Sequence, residues 1–135
     1  STQIVFVSGR SGKAQLYLIG ADGTGMTRLP CLESECDHPS WSAAVNRIAY
    51  TCGNSAAGYD ICTLDMGDRK IAKLTDNKGS NEQPSFAPNG RHVVFVTTRW
   101  GKKQLATVNI KGDISTRRVT ETGNNSYPDW SRAPQ

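Results

Sequence analysis

A block of sequence about 45 residues long recurs along this chain. The stretch HPSWSAAVNRIAY at 38–50 returns as QPSFAPNGRHVVF at 83–95, and YPDWS at 127–131 begins a third copy. Three sets of equivalent residues keep a spacing of 44 or 45 residues: Ile4, Ile48 and Val93; Trp41, Phe86 and Trp130; and Leu29, Leu74 and Val119. A fixed period of this length restricts the chain to a repeat architecture.

Each period contains four short runs that are typical of β-strands. In the middle copy they read PSWS, RIAYTC, DICTLD and KIAKLT. The runs are rich in β-branched and aromatic residues and are bounded by turn residues such as Asp-Gly and Gly-Asp. No segment shows a 3.6-residue apolar period over eleven or more residues. The sequence therefore predicts an all-β chain of four-stranded units, each with the length of a propeller blade.

The repeat boundaries predict a β-propeller sector of three blades within one domain, 1–135. The blades are predicted at about 1–36, 37–81 and 82–126, and 127–131 forms an orphan first strand. The first blade lacks such a strand, so the two ends have complementary strand sets. Three blades are fewer than the four to eight of closed propellers. Two copies giving six blades, a filament, and a fragment of a longer chain all remain open.

The copy that begins with QPSF at 83–86 carries a family resemblance. PSFAPNGRHVVFVTTRWGKKQLATVNIKGDISTRRVT resembles the repeat of the TolB-type β-propellers, P-x-W-S-P-D-G-x-x-I-A-F followed by I-Y-x-M-D-x-D-G and R-L-T. The chain departs from this pattern at SAAVNR (42–47) and around Cys52 and Cys62. The resemblance implies a scaffold of typically six blades, often periplasmic or extracellular, that binds partners through its channel and faces. The same blade also serves as a non-catalytic domain of larger enzymes.

Charge and hydropathy argue against two classes of partner. The 16 Lys and Arg residues are scattered among 12 Asp and Glu residues, and no run exceeds two basic residues. Nucleic-acid binding usually needs basic residues gathered on one face, so we expect no nucleic-acid partner. No apolar stretch approaches the roughly 18 residues that a membrane-spanning helix needs, so we expect no membrane span.

The four cysteines predict disulfides and an oxidising compartment. Cys52 ends the second strand of its blade and Cys62 lies in the third, so an antiparallel hairpin sets them face to face. Cys31 and Cys36 would close a short loop between blades. An even count in a small all-β chain favours this pairing and a periplasmic or extracellular location. Four free cysteines in a cytosolic protein are the alternative.

No constellation of residues indicates catalysis. The chain holds two histidines, His38 and His92, and neither a G-x-S-x-G nor an H-E-x-x-H motif occurs. A nucleophile needs a base within hydrogen-bond reach and a third group that orients the base. We therefore expect this chain not to be an enzyme.

Oxygen-bearing side chains recur four and five residues before the repeated aromatic. Asp37 and Glu82 occupy the first of these positions, and Asn81 and Asn125 occupy the second. First strands line the channel of a propeller, so these side chains would form a ring of oxygens near one mouth. Such a ring suits calcium, and the TolB resemblance permits a channel cation. In the alternative, the carboxylates are solvated or pair with Arg47 or Arg91.

Two regions are candidates for binding a partner. Trp100 stands in a turn beside Lys102 and Lys103, where it either contacts a protein, a glycan or another copy, or folds back over its own blade. The orphan strand is the second region, and we expect it to pair with the strand of Ile4 and Phe6 in another copy; its residues are Tyr127, Pro128, Asp129, Trp130 and Ser131.

The predicted function is an exported, non-catalytic binding and assembly module. A propeller domain of an enzyme and a lectin-like binding protein are the alternatives.

Overall fold

A computed structural model describes residues 2–132 of the chain, which fold into three antiparallel sheets. The strands are β1 Gln3–Ser8, β2 Gln15–Gly20, β3 Thr27–Arg28, β4 Glu35–Ser42, β5 Arg47–Asn54, β6 Gly58–Asp65, β7 Ile71–Lys73, β8 Asn81–Phe86, β9 His92–Thr97, β10 Gln104–Asn109 and β11 Arg117–Arg118. A short 3-10 helix, Asp113–Ser115, precedes β11. Blade 1 consists of β1–β3, blade 2 of β4–β7 and blade 3 of β8–β11, each in sequential order. The predicted all-β propeller sector is confirmed.

The strands within a blade differ in burial according to their distance from its outer edge. The second strands β5 and β9 are buried along almost their whole length, as expected for runs such as RIAYTC and HVVFVT that are covered on both faces. The outermost strands are two or three residues long and mostly exposed. Short polar outer strands leave little free edge for aggregation.

Each hydrophobic core lies between two consecutive blades. One cluster joins Leu16 and Leu18 of β2 to Ile48, Tyr50 and Leu64 of blade 2, and Trp41 packs against it. A second cluster joins blade 2 to blade 3; its buried members are Ala49, Ile61, Leu74, Phe86, Val93, Phe95, Ala106 and Val108. The repeated aromatic therefore contributes to the contact between blades. A blade buries its apolar face only when a neighbouring blade is present.

The two inner strands, β4 and β8, carry the same bulge. His38 has φ 49° and Gln83 has φ 56°, both in the left-handed region. At these positions the register shifts, between Asp37 and Ser40 in β4 and between Glu82 and Ser85 in β8. Each bulge interrupts the pairing of the inner strand with the second strand of its blade, after Asp37 in β4 and after Glu82 in β8. It turns the residues that follow toward the neighbouring blade. The sequence predicted only PSWS as the first strand of blade 2. It therefore missed the bulge, because β4 begins earlier, at Glu35.

The structure confirms both predicted disulfides, Cys31–Cys36 and Cys52–Cys62. The expected face-to-face placement of the second pair is wrong. Cys52 lies opposite Asp60 and Cys62 lies opposite Tyr50, so the bridge runs diagonally across the hairpin with 6.1 Å between the Cα atoms. The first disulfide closes the connection from β3 to β4, which joins blade 1 to blade 2.

Gly79 marks a close approach between the connection that enters blade 3 and the end of β9. Its φ is 70°, and a Cβ atom there would lie 2.6 Å from the Arg99 backbone nitrogen. Gly79→Ala is expected to lower the free energy of unfolding by roughly 2–4 kcal/mol, because left-handed strain and a backbone clash add together. Gly25, also at φ 70° but with nothing within 4 Å, is the matched control.

Urea denaturation of both variants measures the difference. Gly25→Ala should lower the free energy of unfolding only by the cost of the left-handed backbone conformation, about 1–2 kcal/mol. Equal losses in the two variants would contradict the close contact at Gly79.

Candidate functional site

The segment 127–131 lies against the inner strand of blade 3. The backbone N–H of Tyr127 donates to Gln83 Oε1 at 2.6 Å, and the Ser85 hydroxyl donates to Asp129 Oδ1 at 2.8 Å. The indole N–H of Trp130 donates to the Ser85 carbonyl oxygen at 2.8 Å. The terminal segment is therefore held by three hydrogen bonds to β8.

This segment has the backbone of an inner strand. Tyr127 has φ 54°, matching His38 and Gln83 at the equivalent positions of β4 and β8. Likewise β8 is held on blade 2 by bonds from the Phe86 N–H to Ser40 Oγ at 3.1 Å and from the Gln83 N–H to Thr51 Oγ1 at 3.0 Å. Segment 127–131 thus takes the place and the bulged form of a next inner strand, although it pairs with no second strand among residues 2–132.

Blade 1 presents the complementary surface. Its sheet begins with β1, which pairs with β2 on one side only within the described chain. Ile4 is 50% exposed, and Phe6 stacks on Tyr17 with ring centroids 5.7 Å apart. One edge and one apolar side of β1 remain available for an inner strand.

A trough of about 540 Å³ runs along the ends of the three inner segments. Its lining comes from Ser40–Ala44 after the bulge of β4, from Ser85–Pro88 after that of β8, and from Asp129, Trp130 and Arg132. Ser42 in this wall is buried, and its hydroxyl has no hydrogen-bond partner among the described residues. The trough is an open, mixed polar and apolar surface.

Carboxylates gather around Tyr59 at the start of β6. The Tyr59 hydroxyl donates to Glu35 Oε2 at 3.0 Å. Partial burial, this hydrogen bond and the negative charges of Glu35, Glu82 and Asp37 all raise the pKa of Tyr59. The structure thus brings Asp37 and Glu82 into one acidic neighbourhood. Sequence reasoning missed Glu35 and Tyr59, which lie outside the repeated positions used to find the other two.

The two asparagines of the predicted calcium site form hydrogen bonds within the described chain. Asn81 is fully buried; its amide donates to Asp60 Oδ1 at 3.2 Å, and its oxygen accepts from Arg99 Nη2 at 3.1 Å. Asn125 donates to Gln104 Oε1 at 3.1 Å and to Thr120 Oγ1 at 3.2 Å. Both amides hold an inner segment to the preceding blade, and their role as calcium ligands stays a prediction.

These amides belong to a polar network that recurs between blades. Thr75 donates to Asp60 at 2.7 Å, and Thr120 donates to Gln104 at 2.7 Å. Lys73 also pairs with Asp60, at 3.3 Å. Sequence reasoning missed this network, although the 45-residue spacing of Thr75 and Thr120 was a usable signal.

The described residues do not group enough charged or metal-binding side chains to form the predicted calcium site by themselves. Within residues 2–132 no three His, Cys, Asp or Glu side chains are grouped to hold a metal ion. Asp37 Oδ1 accepts the backbone N–H of His38 at 2.8 Å. A calcium role for Asp37 and Glu82 stays a prediction, measured by the melting temperature with calcium and with a chelator.

The histidines lie apart, in different blades. His38 Nδ1 is 3.1 Å from Thr51 Oγ1 within blade 2. His92 begins β9 and lies opposite Asn109, beside a shallow pocket of about 450 Å³. The two histidines therefore do not form a shared site among the described residues.

Trp100 does not fold back into either core. It is 40% exposed, in the connection between β9 and β10. The Arg118 guanidinium lies 4.9 Å from the centre of a Trp100 ring, and that of Arg99 lies 5.8 Å away. Lys102 and Lys103 beside it are exposed.

Asn81→Ala is expected to lower the free energy of unfolding by about 2–3 kcal/mol, because it leaves the buried Asp60 and the half-buried Arg99 without one partner each. Asn124→Ala, which removes one exposed hydrogen bond to the Lys103 N–H, should cost no more than about 1 kcal/mol. Thermal or urea denaturation of the two variants makes the comparison.

The same experiment separates a structural role from an ion-binding one. We expect the Asn81→Ala deficit to be the same in calcium and in chelator. A deficit that appears only with calcium would show that Asn81 is a cation ligand.

Comparison with known proteins gives one consistent match. A family model described as the TolB beta propeller domain matches residues 1–134. An uncharacterised protein of Agrobacterium fabrum is 30% identical over 123 residues, covering 91% of this chain and 40% of that protein. The Tol-Pal system protein TolB of Thioalkalivibrio sulfidiphilus is 36% identical over 74 residues, covering 54% of this chain and 17% of its own.

A solved structure agrees with these matches. A TolB-like protein of Agrobacterium tumefaciens superposes with a TM-score of 0.83 at 25% identity, over 94% of this chain and 46% of that one. The chain therefore spans less than half the length of the relatives that it matches. The described residues include no helix long and apolar enough to cross a membrane.

Proposed function

Because the chain belongs to the TolB β-propeller family, we propose that it is a non-catalytic propeller module that binds protein partners and completes its ring with a second copy of itself. The inner strand 127–131 of one copy is inserted beside β1 of the other. The observation that carries the proposal is the bulged, inner-strand conformation of this segment, which pairs with no second strand among residues 2–132.

The repeat fixes the register of the exchange. In blade 2, Trp41 lies opposite Ile48 and Ser42 opposite Arg47. In blade 3, Phe86 lies opposite Val93. By the same alignment Trp130 would lie opposite Ile4, and Ser131 opposite Gln3, of the other copy. Trp130 would then enter the space between two blades, as Trp41 and Phe86 do within one chain.

A two-fold arrangement closes the ring. Each copy gives one inner strand and receives one, so the contact is self-complementary and three blades become six. The exchange satisfies the free edge of β1, and it covers Ile4 and Trp130, which are 50% and 37% exposed in a single copy. A head-to-tail exchange that does not close would build a filament from the same contacts.

The trough at the ends of the inner segments is the surface we propose for a partner segment. It combines backbone groups, hydroxyls and apolar walls in about 540 Å³, which suits an extended peptide. Two buried disulfides support export to the periplasm or the outside of the cell, since such bonds persist in oxidising compartments. No residue is assigned a catalytic role.

Cysteines at Gln3 and Ser131 test the register. Both side chains are exposed in a single copy, so the double variant Gln3→Cys, Ser131→Cys should fold normally. Directly opposed residues of antiparallel strands lie about 4.5–5.5 Å apart, within disulfide range. Mild oxidation should therefore link two chains, giving twice the 14.7 kDa mass on non-reducing gels.

The matched control keeps Ser131→Cys and moves the second cysteine to the exposed Lys111, which should give no rapid cross-link. Native mass of the unmodified chain, from light scattering, separates the arrangements. A closed dimer has twice the chain mass, and a filament has a much larger one. A monomer at micromolar concentration, with no cross-link in the double variant, would contradict the proposal.

A further inference from the structure

The net positive charge of the chain is concentrated in blade 3. Residues 1–81 hold eight Lys and Arg and eight Asp and Glu, whereas residues 82–126 hold seven basic and three acidic residues. The excess of four in this range equals the formal net charge of the whole chain, +4. Basic residues are scattered along the sequence, but in the folded chain their excess over acidic residues lies in blade 3.

Two of these cations, Arg99 and Arg118, lie over one exposed tryptophan, and two lysines follow it in the same turn. The basic patch consists of Arg99, Trp100, Lys102, Lys103 and Arg118. Arg118 comes from the outermost strand, and the other members come from the turn between β9 and β10. The patch therefore lies on a surface of blade 3 distinct from the trough, whose lining shares no residue with it.

Hydrogen bonds within the chain hold both arginines of the patch. Arg118 Nε donates to the Thr120 carbonyl oxygen at 2.8 Å, and its Nη2 donates to the Glu121 carbonyl oxygen at 3.2 Å. Arg99 is held by bonds to Thr97 Oγ1 and to Asn81 Oδ1. The two guanidinium groups thus stay near the indole, and a ligand would lose little side-chain entropy on binding.

The blade fold does not require this tryptophan. The equivalent residue in blade 1 is Ser11, within the matching stretch RSGKAQ that aligns with RWGKKQ. There Arg10 lies over Tyr17, 5.1 Å from the ring centre, and its Nη1 contacts the Met26 sulfur. Blade 1 thus forms the equivalent turn, and its arginine contacts a different aromatic ring, with serine in place of Trp100.

The chemistry of the patch selects an acceptor-rich ligand. Its charged side chains are all hydrogen-bond donors, and the two nearest carbonyl oxygens are already used by Arg118. Among the described residues, neither Lys102 nor Lys103 takes part in an ion pair. Carboxylates need only donors, whereas sugar hydroxyls also need acceptors, and the charged side chains of the patch supply donors only.

We propose that the basic patch binds an acidic peptide segment of a protein partner. Asp or Glu side chains of the partner pair with Lys102, Lys103 and the remaining N–H groups of Arg118. The partner's main chain and an apolar side chain pack on the exposed part of the Trp100 ring. An aromatic anchor among cations has the composition of a binding hot spot.

A fluorescein-labelled oligoglutamate peptide tests the proposal by fluorescence anisotropy, with oligoglutamine and oligogalacturonate as comparison ligands. The unmodified chain should bind oligoglutamate and not oligoglutamine. Trp100→Ser, which restores the blade 1 residue, should weaken binding at least about tenfold without changing net charge. Lys102→Glu with Lys103→Glu should abolish it.

Reversing two exposed charges elsewhere on blade 3, Arg91→Glu with Lys111→Glu, is the matched control and should keep most of the affinity. Circular dichroism verifies that every variant is folded. Absence of oligoglutamate binding, equal loss in both charge reversals, or an unchanged affinity in Trp100→Ser would overturn the proposal. Tighter binding of oligogalacturonate than of oligoglutamate would overturn it in favour of an anionic glycan.

Discussion

The packing of each sheet against the next is the interaction on which this structure depends. Both hydrophobic clusters draw their members from two consecutive blades. A three- or four-stranded sheet of this size covers too little apolar surface by itself, so stability comes mainly from the contacts between neighbours. Within residues 2–132, blade 2 packs against blade 1 on one side and against blade 3 on the other.

The inner strand is the element that joins one blade to the next. Contacts of two kinds hold it at three equivalent places: the Cys31–Cys36 disulfide before blade 2, and an asparagine amide before blade 3 (Asn81) and before segment 127–131 (Asn125). Cys36, Asn81 and Asn125 are repeat equivalents, so a covalent bond replaces a buried polar network at the first joint. That replacement suits a protein in an oxidising compartment.

The repeat period predicted most of the fold because blade length, strand order and turn chemistry all follow from local patterns. The cysteine pairs followed from strand positions in the same way. The bulges at His38 and Gln83 could not be predicted, since their left-handed φ arises from seating against a neighbouring blade. The hydrogen bonds of Asn81 and Asn125 could not be predicted for a related reason: a repeated amide is compatible with an ion ring or with a polar joint, and the bonds to Asp60 and Gln104 depend on how consecutive blades pack.

Hydrogen exchange at β1 tests most directly whether the sector is completed by an inner strand. The account predicts that backbone amides of Gln3–Ser8 facing the free edge exchange as slowly as their equivalents in β5, and that exchange accelerates at β1 alone when Trp130 is changed to alanine. Fast exchange at this edge in the unmodified chain, at the same rate in Trp130→Ala, would contradict it.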